Sequence, residues 1–129
     1  MRIFRLTNAA VQDLRNIAKY TEEQWGREQR NFYLKQLDSR FQKIAKNPLA
    51  GKPCDYITQG YRKLPEGSHV IYYANISDEH VDIIRILHKQ MDVDTQFWSG
   101  SLTLMFNVNV QRHRSAQRVG NSYEGLYFV

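Results

Sequence analysis

Two arginines and two histidines are the side chains best suited to chemistry: Arg62, His69, Arg85 and His88. An imidazole titrates near neutrality, so it can take or give a proton. A guanidinium keeps its charge and offers a fork of donors that fits a phosphate. Together they contain the makings of a base, an acid and a cationic cradle. No carboxylate lies within this group, and Asp82 is the nearest in sequence. Each residue also has a plainer reading. Arg85 stands between Ile84 and Ile86, where a buried arginine calls for a carboxylate partner. His88 closes an apolar run and suits a hydrogen-bonding or interface role. His69 follows a turn and suits simple exposure, while Tyr72 and Tyr73 suit core or interface. His69, His80, His88 and His113 lack the spacing of a metal site, and the single cysteine, Cys54, adds no ligand set. No metal and no cofactor are expected.

These residues need a scaffold, and the hydrophobic pattern outlines one. Residues 2–6 read as a short first strand. Thr7 is a helix N-cap candidate, and Val11, Leu14, Ile17, Ala18, Thr21 and Trp25 follow at spacings of three and four. This predicts a helix over 8–25, stopped by Gly26. Leu34, Leu37, Phe41, Ile44 and Ala45 outline a second helix, ended by Asn47-Pro48. A short connection makes the pair an antiparallel hairpin. Residues 50–60 read as loop. Three strand-like runs follow at 61–64, 68–74 and 81–87, separated by the turn Pro65-Glu66-Gly67 and by a turn over 75–79. The simplest arrangement is a three-stranded antiparallel meander. In a regular last strand, Ile84, Ile86 and His88 share one face, and Val81, Ile83, Arg85 and Leu87 share the other. Arg62, His69 and Arg85 could then meet on one sheet face, subject to register. Residues 92–97 suggest a last turn of helix. The fold class is α+β. Residues 1–97 form the domain, and 98–129 form an extension that reads as a hairpin or a partly disordered tail.

The chain has 129 residues, 42% of them hydrophobic, which fits one small domain. A lone cysteine favours a reducing compartment, and the cytoplasm is the expected location. No signal peptide and no run of about 20 apolar residues is visible, so no membrane association is expected. The net charge of +5 favours an acidic partner. No lysine or arginine block marks a phosphate-tracking arm, and no direct sequence-specific nucleic-acid binding is expected.

The segments Tyr61-Arg62-Lys63-Leu64-Pro65-Glu66-Gly67-Ser68-His69-Val70-Ile71-Tyr72-Tyr73 and Ile83-Ile84-Arg85-Ile86-Leu87-His88-Lys89-Gln90-Met91-Asp92 resemble the ParE branch of the ParE/RelE toxin superfamily. The first matches an Arg-x-Leu-Pro turn feeding the central strand. The second matches an Arg-Ile-Leu-His end strand followed by Met-Asp. Ala10, Asp13, Leu14, Ile17, Tyr20 and Trp25-Gly26 fit the family's first helix, and Asn47-Pro48 with Gly51-Lys52-Pro53 fits its loop. The resemblance spans residues 2 to about 96. Residues 98–129 have no counterpart in it.

The resemblance implies a toxin that binds DNA gyrase, traps it on cleaved DNA and performs no chemistry itself. It also implies a ParD-type antitoxin with an acidic segment that wraps the toxin, and a role in plasmid stabilisation and growth inhibition. The sister RelE branch cleaves mRNA on the ribosome, and Arg62, His69, Arg85 and His88 would be its catalytic candidates here. A third reading is a non-toxic relative that only binds an antitoxin. The expected partner contacts are Arg62, His69, Arg85, His88, Met91 and Asp92, with Trp25, Arg40 and Lys43 on the outer helical surface.

Overall fold

The computed structural model describes residues 2–91 and 117–118. The chain opens with β1 (Ile3–Leu6), followed by α1 (Asn8–Trp25) and α2 (Arg27–Lys46). Thr7 caps α1 by accepting from the Ala10 amide at 3.0 Å, while its own hydroxyl donates to the Ile84 carbonyl at 2.9 Å. Such a cap contributes about 1 kcal/mol, and this one also pins the helix to the sheet. Gly26, at φ 94°, ends α1 and starts α2. That left-handed backbone is open to glycine at little cost, so one residue reverses the chain. Arg30 of α2 is buried and pairs with Glu22 of α1 across the hairpin.

The strands are β2 (Lys52–Pro53), β3 (Tyr61–Glu66), β4 (His69–Asn75), β5 (His80–His88) and β6 (Gln117–Arg118), and a single 3-10 turn covers Lys89–Met91. Their order in one sheet is β2-β3-β4-β5-β1-β6. The meander β3-β4-β5 is antiparallel, as expected. The first strand joins it parallel to β5, pairing Phe4 with Val81 and Leu6 with Ile83. The sheet is therefore wider than a three-stranded meander. Two-residue strands such as β2 carry no periodicity by which a sequence reader could find them.

Three further expectations are corrected. The turn after β3 does not contain Pro65 and Glu66, because both belong to the strand. Proline is tolerated there because β2 pairs only with Arg62 and Lys63, leaving the Pro65 edge open. The second run begins at His69 and not at Ser68, leaving Gly67 and Ser68 to make the turn. The alternation along β5 is also broken. The register shifts between Tyr72 and Tyr73, so Tyr72 faces Arg85 while Tyr73 faces Ile83. A bulge of this kind inserts one unpaired residue and re-aims its neighbours. Val81, Ile83 and Ile86 join the helix-side core, whereas Ile84 and Leu87 join a cluster on the other face.

The helix-side core holds Leu14, Ile17, Leu34, Leu37, Phe41 and Ile44 against Phe4, Leu6, Ile71 and Tyr73. The Phe4 and Phe41 rings meet at 5.3 Å and 55°. Each such side chain, fully buried, contributes about 1.5–3 kcal/mol. Tyr73 donates its hydroxyl to the Pro48 carbonyl at 2.7 Å and accepts from the Gly51 amide at 2.8 Å. That contact fastens the loop after α2, and Gly51 has no room there for a β-carbon. Among the described residues, no helix is long and apolar enough to cross a membrane. The expectations for residues 92–97 and for the shape of the extension lie outside the described residues.

Candidate functional site

An open groove of about 1140 Å³ runs between the helical hairpin and the end of the sheet. Its helical wall carries Asp13, Asn16, Ile17, Tyr20, Trp25 and Tyr33, and its sheet wall carries His69, Arg85, Ile86, His88 and Met91. The volume exceeds the range of about 300–1,000 Å³ typical of small-molecule pockets. Trp25 is 72% exposed and Met91 46% exposed on its rim. Exposed aromatic and thioether side chains therefore border the cleft.

Arg85 is fixed at the base. Its Nε donates to Asp13 Oδ2 at 2.8 Å and its second terminal nitrogen to Asp13 Oδ1 at 2.9 Å. Asp13 Oδ2 also accepts the Ile86 backbone N–H at 2.9 Å. The carboxylate thereby meets a strand amide beyond the point where β1 stops pairing with β5. A fork-to-fork pair of this kind is a strong, geometrically specific contact. The guanidinium is committed to the hairpin, as its position between two isoleucines suggested.

His69 and His88 are cross-strand partners, with ring centroids 5.4 Å apart in an edge-to-face arrangement. His69 is half-buried, which corrects the expectation of a simply exposed residue. Its Nδ1 shares a 2.6 Å hydrogen bond with the Tyr33 hydroxyl. That hydroxyl also donates to the Glu66 carbonyl at 3.1 Å and accepts from the Ser68 amide at 3.1 Å. All three bonds form together only when His69 Nδ1 carries the proton, which leaves Nε2 as an acceptor. Burial, reinforced by the nearby His88, pushes His69 down to about 4. Burial likewise raises the Tyr33 phenol, outweighing the lowering effect of the Ser68 amide. His69 is therefore neutral at physiological pH, and too weak a base to serve readily as a proton acceptor.

The same tyrosine shapes the turn. Gly67 has φ 58°, and a β-carbon there would lie 2.6 Å from the Tyr33 ring. Both the backbone and the space require glycine. Glu66 is in turn held by Arg40, Nε to Oε1 at 2.7 Å.

The structure thus brings His69, Arg85, His88, Met91 and Trp25 into one groove. Arg62 is not among them. Its guanidinium donates to the Gly51 carbonyl at 2.6 Å, and its strand position pairs with Tyr73 and Pro53. The grouping of Arg62, His69 and Arg85 on one sheet face does not occur, because Arg62 faces the loop after α2 while Arg85 reaches round to α1. Arg40 and Lys43 lie on α2, the first paired with Glu66 and the second exposed. Asp92 is outside the described residues. Sequence reasoning passed over Tyr33 as a groove residue and gave Asp13 no role in the site. Asp13 did leave a signal: it stands between Ala10 and Ile17 at helical spacing, a carboxylate bordering an apolar stripe. Among the described residues, no group of three or more His, Cys, Asp or Glu could hold a metal ion.

Fold and groove define a class: a two-layer α+β domain whose helical hairpin and sheet end frame an open cleft. Residues 4–93 match the family model for the "ParE toxin of type II toxin-antitoxin system, parDE". The chain is 40% identical over 91 residues to "Toxin ParE1" of Mycobacterium tuberculosis, covering 70% of this chain and 93% of that protein. It is 38% identical over 92 residues to "Toxin ParE1" of Caulobacter vibrioides, covering 71% and 94%. A solved structure titled "Chromosomal ParDE TA system from P. aeruginosa" shares the fold. Its TM-score is 0.59 at 20% identity, covering 68% of this chain and 96% of that one. The chain belongs to the ParE toxin family of type II toxin–antitoxin systems.

Proposed function

We propose that the protein acts by binding: it inhibits DNA gyrase by holding it on cleaved DNA, in the cytoplasm, and a ParD-type antitoxin neutralises it. The observation that carries this reading is the groove itself. It is open, its rim carries exposed Trp25 and Met91, and Arg85 at its base is committed to Asp13. A flexible antitoxin segment can order as it enters such a cleft, its apolar side chains meeting Tyr20 and Trp25. The net charge of +5 suits an acidic segment. Expression alone should arrest growth with an induced DNA-damage response, and co-expression with a ParD-type partner from the neighbouring reading frame should relieve it. Growth arrest with no DNA-damage response and rapid loss of mRNA would refute the gyrase reading.

One observation favours a second reading, an mRNA endoribonuclease. Tyr33 and His88 are titratable groups that both adjoin His69. His88→Ala would abolish RNA cleavage if this cluster were reactive; on the binding reading neither the wild type nor this variant cleaves RNA.

A further inference from the structure

Positive charge is unevenly placed along the chain. Residues 35–66 hold seven lysines and arginines against three carboxylates, which puts four of the five net positive charges in this stretch. No long basic run marks it in the sequence; the fold assembles the cluster. Lys43 and Lys46 lie in the last turn of α2. The loop that follows turns back at once, the Ala50 amide donating to the Asn47 carbonyl at 3.0 Å. Arg62 reaches this loop from β3, donating to the Gly51 carbonyl at 2.6 Å, and Lys52 opens β2 directly after Gly51. Arg40, three residues before Lys43 on the same helical face, pairs with Glu66 of β3, so that face of α2 runs beside the β3 edge. Lys43, Lys46, Lys52 and Arg62 therefore gather at the end of the domain where α2 stops. None of them lines the groove.

The carboxylates of the stretch are engaged elsewhere. Asp38 accepts from the Gln42 side-chain amide at 2.8 Å, Asp55 from the Gly60 backbone N–H at 2.7 Å, and Glu66 from Arg40. Among the described residues, none of the four cations forms a salt bridge. The three lysines are exposed. Lys43 and Lys46 also suit the negative end of the α2 dipole. Lys52 and Arg62 stand outside any helix, and that account does not reach them.

We propose that this end of the domain is a sequence-independent docking surface for the phosphate backbone of duplex DNA. Lysine is depleted at protein–protein interfaces, whereas lysine and arginine are regular partners of backbone phosphates. Three of these four cations are lysines. An extended acidic peptide is the competing occupant, and the open edge beside the cluster resists it. There β3 runs on past its pairing with β2, and Pro65 has no N–H to offer an added strand. Unpaired bases call for aromatic stacking platforms, and the exposed Leu49 of the loop is aliphatic. The surface goes beyond the gyrase reading, since it holds DNA whether or not gyrase is present.

Fluorescence anisotropy of a labelled duplex of about 30 base pairs, titrated with the full-length chain between about 50 and 200 mM salt, tests this. Four phosphate contacts predict a slope of about −3.6 in log affinity against log salt, a loss of about 150-fold across that range. The variant Lys43→Gln/Lys46→Gln/Lys52→Gln should bring the slope to about −0.9 and the loss to about 3.5-fold. A control variant, Arg15→Gln/Lys19→Gln/Arg27→Gln, removes the same charge from exposed positions of the helical hairpin. It should keep the wild-type slope. Equal slopes in the two variants would make binding a diffuse effect of net charge and overturn the proposal. Tighter binding to a single strand of the same length would overturn it too, as would capture of a labelled polyglutamate peptide with the duplex left unbound.

Discussion

Replacing His69 with glutamine should flatten the acid limb of the domain's stability. In the fold, burial and the neighbouring His88 hold His69 near 4, against an ordinary value of 6.5. The unfolded chain takes up the proton at the higher value. Below about pH 6.5 the unfolded state therefore binds more protons than the native state, and stability falls until the pH approaches about 4. The native advantage is complete above 6.5 and lost on acidification. At about 1.36 kcal/mol per pH unit the gap corresponds to about 3.4 kcal/mol. Partial exposure of the ring to solvent brings the expected effect to roughly 2 kcal/mol. Urea titrations of both proteins at a series of pH values measure it. Wild type should lose about 2 kcal/mol more than His69→Gln across this window. The Glu66–Arg40 pair behind Tyr33 is present in both proteins and cancels from the comparison. Equal acid losses would refute the claim that His69 is held neutral in the native state.

Other substitutions follow from the same geometry. Gly67→Ala places a β-carbon against Tyr33 and forces a left-handed backbone on alanine; a loss of about 2 kcal/mol or more is expected in urea melts. Asp13→Ala removes the carboxylate that accepts from both the partly buried Arg85 guanidinium and the Ile86 amide. It should cost about 2–4 kcal/mol in urea melts, and a loss under about 0.5 kcal/mol would contradict the anchoring role. Trp25→Ala should change stability by no more than about 0.5 kcal/mol, since the ring is exposed. It should still weaken antitoxin binding about tenfold or more by calorimetric titration.

The helical hairpin was legible because two independent signals agreed at each end. Thr7 and Gly26 bracket α1, and Asn47-Pro48 closes α2, so residues 8–25 were delimited by chemistry as well as periodicity. The meander was legible from its β-branched runs. The parallel pairing of β1 with β5 was not, because no local feature encodes which edge a first strand joins. The bulge opposite Tyr72 and Tyr73 was equally silent, and it decides the faces of Ile84, Ile86 and Leu87. For the site, residue types alone nominated His69, Arg85 and His88. They did not reveal that Asp13 claims Arg85 or that Tyr33 claims His69, since those contacts span 72 and 36 residues. Arg62 was misgrouped because register, invisible in sequence, sends it toward Gly51.

On the proposed function the groove grips a partner and does no chemistry. Purified protein added to gyrase, plasmid and ATP tests this most directly. Supercoiling should fall as linear, gyrase-linked DNA accumulates in proportion to the protein added. Unimpaired supercoiling, together with cleavage of mRNA in a translating extract that His88→Ala abolishes, would contradict it.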